Sequence, residues 1–267
     1  MSFTVSKING KLCFKDFGGF QDRNISTIWC IINADKIYNW NDFKELTIHT
    51  GDCEINANDY SYSKQNNYNK LVPDFNFHGW PQVGINDYED FINEIHNNGL
   101  KLYEINKVGW IGATSTNYRR IDMLKIGNNN QDLFDFFEMK WIQSGNVLLN
   151  SSKYISTPEL VKKYSILIDI EGAGYSGRLK HLLWSHRPLL IVDRPHKEFF
   201  FKYLKEWVHY IPVKRDLSDL IEKTKWCLYN YNKALQIAKN AYRFSTIYLT
   251  RYACYEQWNN IITNKSI

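Results

Sequence analysis

"YSILIDIEGAGYSGRLKHLLWSHRPLLIV" (164–192) decides how this chain folds. An apolar run, 165–170, leads into a glycine-rich turn, a segment of helical character (178–186) and a second apolar run, 188–192. Short apolar runs separated by a helix are the repeating unit of a parallel α/β sheet. Gly172, Gly174 and Gly177 spell G-x-G-x-x-G. Asp193 follows the second run, roughly twenty residues on, which completes the outline of a dinucleotide-binding fingerprint.

The residues after the glycines point to a different use. Arg178 and Lys180 occupy the first turn of the expected helix. Cations at a helix N-terminus are disfavoured by about 0.3–1 kcal/mol each. They make sense where a bound anion is shared between the side chains and the free N–H groups of the helix end. Ser176 adds a hydroxyl at the N-cap position. "SGRLK" (176–180) therefore reads as a diphosphate clamp made of side chains and backbone. Taken alone, the loop also fits a plain strand-to-helix turn with both cations solvated.

Toward the C-terminus the alternation continues. The 188–192 strand leads to a helix over 197–204, and "WVHYIPV" (207–213) reads as a strand before a long helical stretch from about 217. Residues 234–262 form a mostly helical tail. In the N-terminal half, 26–32, 45–50, 74–78 and 101–105 read as strands, and 87–99 and 117–127 as helices. Polar, turn-rich 56–70 reads as a loop. The expectation is an α/β chain of two lobes, 1–148 and 149–267, with a cleft between them.

Bulk properties narrow the function. A length of 267 residues with 44% hydrophobic content suffices for one large or two small cores. The net charge of +5 suits an anionic small ligand and is too diffuse to argue for nucleic acid. Cys13, Cys30, Cys53, Cys227 and Cys254 are scattered without a C-x-x-C, so a zinc site is not expected and free thiols in a reducing, cytoplasmic setting are. No signal peptide or membrane-length apolar run is read.

The order of motifs is more specific than the glycines. Lys163-Tyr164, Gly172, Ser176, Arg178, Lys180, Glu198-Phe199-Phe200 and "HYIPVKRDLS" (209–218) resemble, in sequence, the pattern of glycosyltransferase family 90. That family contains protein O-glucosyltransferases and xylosyltransferases and fungal capsule-associated proteins. "VGWIGATSTNYRRIDML" (108–124) resembles its W-R-G-[SA]-x-[TS] segment, matching Trp110, Gly112, Ala113 and Arg119, with Arg120 one register away. "VPDFNFHGWPQV" (72–83) resembles its P-D segment ending in R-D-[YW]-P. The resemblance runs from about 71 to the end.

The resemblance implies a GT-B-type fold of two Rossmann-like lobes with a helical C-terminal tail. It implies inverting transfer of glucose or xylose from a UDP-sugar donor, without metal or further cofactor. The acceptor would be a glycan, a lipid-linked saccharide or a protein. Arg178 and Lys180 would hold the diphosphate, with Ser176, the backbone of Gly172, Gly174 and Gly177, and Gly112, Ala113 and Arg119 from the other lobe. Glu198 is a candidate for the ribose hydroxyls. At the expected catalytic base stands Gly79, which cannot take a proton, so Asp74 or His78 would substitute. Ile111 replaces the family's arginine. These departures keep a non-catalytic sugar-nucleotide or glycan-binding module open as an alternative, and the literal glycine pattern keeps an NAD(P) oxidoreductase open.

Overall fold

A computed structural model of the chain describes residues 1–56, 58–65, 70–144, 147–150 and 154–263. The chain begins with a hairpin, β1 (Ser2–Ile8) and β2 (Lys11–Lys15). Asn9 and Gly10 both have positive φ there, as a two-residue hairpin turn requires. Helix α1 (Gln21–Tyr38) follows, then β3 (Phe43–His49), antiparallel to β1, and the short β4 (Tyr60–Ser61). These strands form a sheet of order β2-β1-β3-β4.

A second sheet organises the rest. Helix α2 (Tyr88–Gly99) is capped by the Asp87 carboxylate and leads to β5 (Ile105–Gly112). Helix α3 (Tyr118–Asn129) leads to β6 (Phe134–Glu138), and β7 (Trp141–Ser144) and β8 (Val147–Asn150) form a hairpin. Helix α4 (Thr157–Lys163) opens with a Ser156/Glu159 capping box and runs directly into β9 (Tyr164–Asp169). A single-turn helix α5 (Leu179–Leu182), β10 (Leu189–Val192) and β11 (Ile211–Val213) complete it. The order is β11-β10-β9-β5-β6, all parallel. Helices α6 (Leu220–Tyr229), α7 (Tyr231–Tyr248) and α8 (Arg251–Ile262) form the C-terminal end.

Every residue of β9 is buried. Leu167, Leu189 and Ile191 pack into one apolar cluster, and Ile166, Ile168, Leu190 and Val192 into another. The period-2 alternation thus serves two cores, as a parallel sheet covered on both faces demands. In chain order the strands read 2-1-3-4-5 across the sheet from β6. The connections part on either side of β5, so the topological switch point lies between β5 and β9, where the carboxyl ends of the strands leave a crevice.

The α/β class and the helical C-terminal end hold; several local expectations do not. The parallel sheet draws β5 and β6 from before the expected 148/149 boundary and β9, β10 and β11 from after it. Residues 26–32 lie inside α1, not in a strand: Asn24, Thr27, Ile31 and Ala34 recur at helical spacing and are buried. Residues 74–78 hold a 3-10 turn, Phe75–Phe77, capped by Asp74. Residues 101–104 are loop, and β5 begins at Ile105. The helix expected over 178–186 is a single turn, that over 197–204 is a 3-10 turn (Phe201–Tyr203), and β11 is shorter than 207–213.

Candidate active site

A cavity of about 710 Å³ opens at the switch point. Its floor is the end of β5 with Gly112 and Ala113, and the loop after β9 with Ile170, Gly172, Ser176, Gly177 and Arg178. Arg120, on the first turn of α3, and Thr116, in the 3-10 turn just before it, border it. Asp22 and Arg23 of α1, Asp52, Asn76 and the aromatic rings of Phe20, Phe75 and Trp80 supply the remaining wall.

Two guanidinium groups reach this cavity without a carboxylate partner. Arg120 donates to the carbonyls of Glu171 (2.9 Å), Ala113 (2.9 Å) and Ile170 (3.2 Å), and to Thr116 Oγ1 (2.9 Å). Burial, then the charge of Arg178, pushes Arg120 down to about 10. Arg178 donates to the Ile111 carbonyl at 2.5 Å, and burial lowers its pKa as well. Neither makes an ion pair among the described residues. Two desolvated, mutually repelling cations are unfavourable by themselves. An anion between them removes the repulsion, and an arginine fork matches two phosphate oxygens at once.

Beneath this surface the charges are matched. Asp169, at the end of β9, accepts from Arg194 at 2.5 Å and from Ser176 Oγ at 2.7 Å. Lys180 Nζ pairs with Asp74 at 2.7 Å and donates to the Gly177 carbonyl at 3.0 Å. Asn117, which caps α3, also donates to the Gly172 carbonyl at 3.0 Å. The loop is braced from three sides. Glu198 is buried beside this layer with neither carboxylate oxygen hydrogen-bonded, and burial pushes its carboxyl up to about 8.

The site residues expected from the sequence divide accordingly. Gly112, Ala113, Gly172, Ser176, Gly177 and Arg178 line the cavity; Asp74, His78, Arg119, Gly174, Lys180 and Glu198 do not. Lys180 is committed to Asp74, so its charge is neutralised inside the protein. Arg119 turns away to the Arg215 carbonyl at 3.0 Å, and Arg120 takes the inward register. Gly174 is packing: a Cβ there would lie 2.1 Å from the Asp52 carbonyl oxygen. His78 stacks on Trp29 at 4.4 Å and bonds Ser26 Oγ at 3.0 Å; burial lowers its pKa. Gly79 has no room for a larger residue, since its Cβ would meet the Ile85 carbonyl oxygen at 2.9 Å. With α5 reduced to one turn, a helix dipole adds little, and the cavity's positive character comes from side chains.

Sequence reading left Arg120 as the alternative register to Arg119 and gave Arg194 no place in the site. The double arginine at 119–120 carried the first, but only the facing of α3 separates the two registers. Arg194 carried no motif; its role depends on β10 lying beside β9. Among the described residues, no three His, Cys, Asp or Glu side chains are grouped to hold a metal, and no helix is long and apolar enough to cross a membrane.

The crevice thus lies at the switch point of a doubly covered parallel sheet, where open α/β proteins take their ligands, and two guanidinium groups without carboxylate partners reach it. The chain belongs to glycosyl transferase family 90, whose model matches residues 1–266. It is 34% identical over 131 residues to the uncharacterized protein 179R of Invertebrate iridescent virus 6, covering 46% of this chain and 11% of that protein. It is 38% identical over 106 residues to protein O-glucosyltransferase 1 of Rattus norvegicus, covering 39% of this chain and 26% of that protein. The matches thus span about a quarter or less of these curated relatives. Among solved structures, TarM is similar with a TM-score of 0.45 at 16% identity, over 61% of this chain and 36% of the other.

Proposed function

We propose that the chain binds the diphosphate of a UDP-sugar between Arg120 and Arg178 and transfers the sugar, with inversion, to an acceptor hydroxyl. The observation that carries this reading is the pair of unmatched arginines at the switch-point cavity. Membership of the family and the likeness to protein O-glucosyltransferases support it. In the transfer, the anomeric carbon–oxygen bond to the diphosphate breaks and negative charge grows on the leaving UDP. The two guanidinium groups stabilise that charge from a preorganised frame of backbone carbonyls, at no reorganisation cost. Ser176, held by Asp169, and the Gly177 backbone border the same space.

Glucose is the preferred donor sugar, by likeness to the glucosyltransferases, and xylose the second. The parallel sheet forms the donor side. Residues of α1 and of the 72–83 segment form the acceptor side, where Phe20 and Trp80 offer faces for a sugar ring. We place the reaction in the cytoplasm, in keeping with the cysteine usage.

Calorimetric titration with UDP, UDP-glucose, UDP-xylose and NADH tests the reading. The expected result is binding of the UDP compounds, no heat with NADH, and release of UDP from UDP-glucose. NADH binding without UDP binding would establish the dinucleotide alternative. UDP binding without turnover on any acceptor would leave a non-catalytic binding module.

A further inference from the structure

An inverting transfer needs a base at the cavity wall, and the wall offers few. All aspartates, glutamates and histidines of the chain lie among the described residues, so those reaching the cavity can be sorted without gaps. They are Asp22, Asp52, Asp169 and His181. Asp169 is buried with one oxygen on Arg194 and the other on Ser176. Asp52 is ion-paired to Arg23 at 3.0 Å, so its carboxylate is already engaged. His181 is buried beside Lys180 and Arg178, surroundings that oppose a second positive charge.

Asp22 differs from all three. It makes no ion pair among the described residues and accepts one hydrogen bond, from Gln82 Nε2 at 3.2 Å. That bond fixes its direction and leaves the second oxygen open. It stands on the first turn of α1, whose next turn places Ser26 Oγ 3.4 Å from the Gly79 carbonyl oxygen. The helix face therefore lies along the 79–82 segment. Phe20 and Trp80, close in sequence to Asp22 and Gln82, also line the cavity.

We propose that Asp22 is the catalytic base of this chain, an inference that rests on the transfer reaction proposed above. The acceptor hydroxyl gives its proton to the Asp22 carboxylate. The oxygen's electron pair forms the bond to the anomeric carbon, and the bond from that carbon to the diphosphate breaks with its pair leaving on UDP. The proton passes from Asp22 to solvent after the product departs.

The test compares wild type, Asp22→Asn and Asp22→Glu in two assays: calorimetric UDP affinity, and release of UDP from UDP-glucose with water as the acceptor. We expect UDP affinity to stay within about threefold in all three. The release rate should fall about 100-fold or more in Asp22→Asn and less in Asp22→Glu. Asp22→Asn retaining more than about a third of the wild-type rate overturns the assignment. So does loss of UDP affinity alongside turnover, which marks a role in binding or folding. Wild type that binds UDP but releases none overturns the base and leaves donor binding standing. Wild type that does not bind UDP removes the donor reading itself.

Discussion

Two pairs of cations lie close together in this molecule and are handled in opposite ways. Lys180 and Arg194 sit under the glycine loop, buried, each locked onto an aspartate at 2.7 and 2.5 Å. Arg120 and Arg178 sit on the loop's open side, held only by neutral carbonyls and a hydroxyl. The matched pair builds the frame, and the unmatched pair leaves the frame with charge to give to a ligand. A cation near a phosphate-type loop is therefore no evidence of phosphate binding until its partner is known.

Arg194→Met breaks the frame and carries the largest expected effect. It strands the Asp169 charge in the interior beside Glu198. Removing one partner of a buried pair costs about 3–5 kcal/mol. Urea unfolding should register a loss in that range; a loss near that of a surface substitution would show the pair to be dispensable. Arg178→Met acts on the other side of the comparison. A hydrogen bond to a charged group contributes about 1.5–3 kcal/mol, so UDP affinity should fall roughly 10- to 100-fold while the urea midpoint barely moves. Unchanged UDP affinity would take Arg178 out of the donor site.

Gly174→Ala probes packing without touching charge. Its Cβ would run into the Asp52 backbone at 2.1 Å, and overpacking of this kind costs about 1–3 kcal/mol. Stability should drop measurably in a thermal melt; a neutral result would mean the loop yields. Glu198 gives a pH signature. Its carboxyl is pushed up from 4.5 to about 8 by burial. Between those values the folded protein holds the proton and the unfolded chain has lost it. This group's contribution is thus full below about 4.5 and declines as pH rises through about 8. Glu198→Gln should flatten that part of the urea-midpoint profile, and an identical slope in both proteins would contradict the assignment. The smallest effect belongs to Arg119→Ala, which should change UDP affinity by less than about twofold, because that side chain points to the Arg215 carbonyl.

Much of the parallel sheet was legible in the sequence. Runs 165–170 and 188–192 are short, apolar and bounded by turn residues, and β9 and β10 occupy them with little shift. Two helices were equally local: 87–99 and 117–127 were read as helices, and α2 and α3 begin one residue inside those starts, capped by Asp87 and Asn117. The ordered motifs from Lys163 to Ser218 pointed to the family. Of the residues named from the glycine loop and the ordered motifs, Gly112, Ala113, Gly172, Ser176, Gly177 and Arg178 line the cavity, because the ends of β5 and β9 open onto it.

Tertiary structure alone decided the rest. Residues 26–32 carry β-branched and aromatic side chains, yet they fold as helix because α1 buries a helical face with α8 packed against it. Whether Arg119 or Arg120 faces the cavity is a rotation of about 100° on α3, set by packing and not by either residue. Whether Lys180 is a ligand-binding cation or a buried strut depends on Asp74, more than a hundred residues earlier, arriving within 2.7 Å. Local pattern fixes which backbone a segment adopts; the balance of charge around a side chain is a sum over distant parts of the chain, and it exists only once they have met.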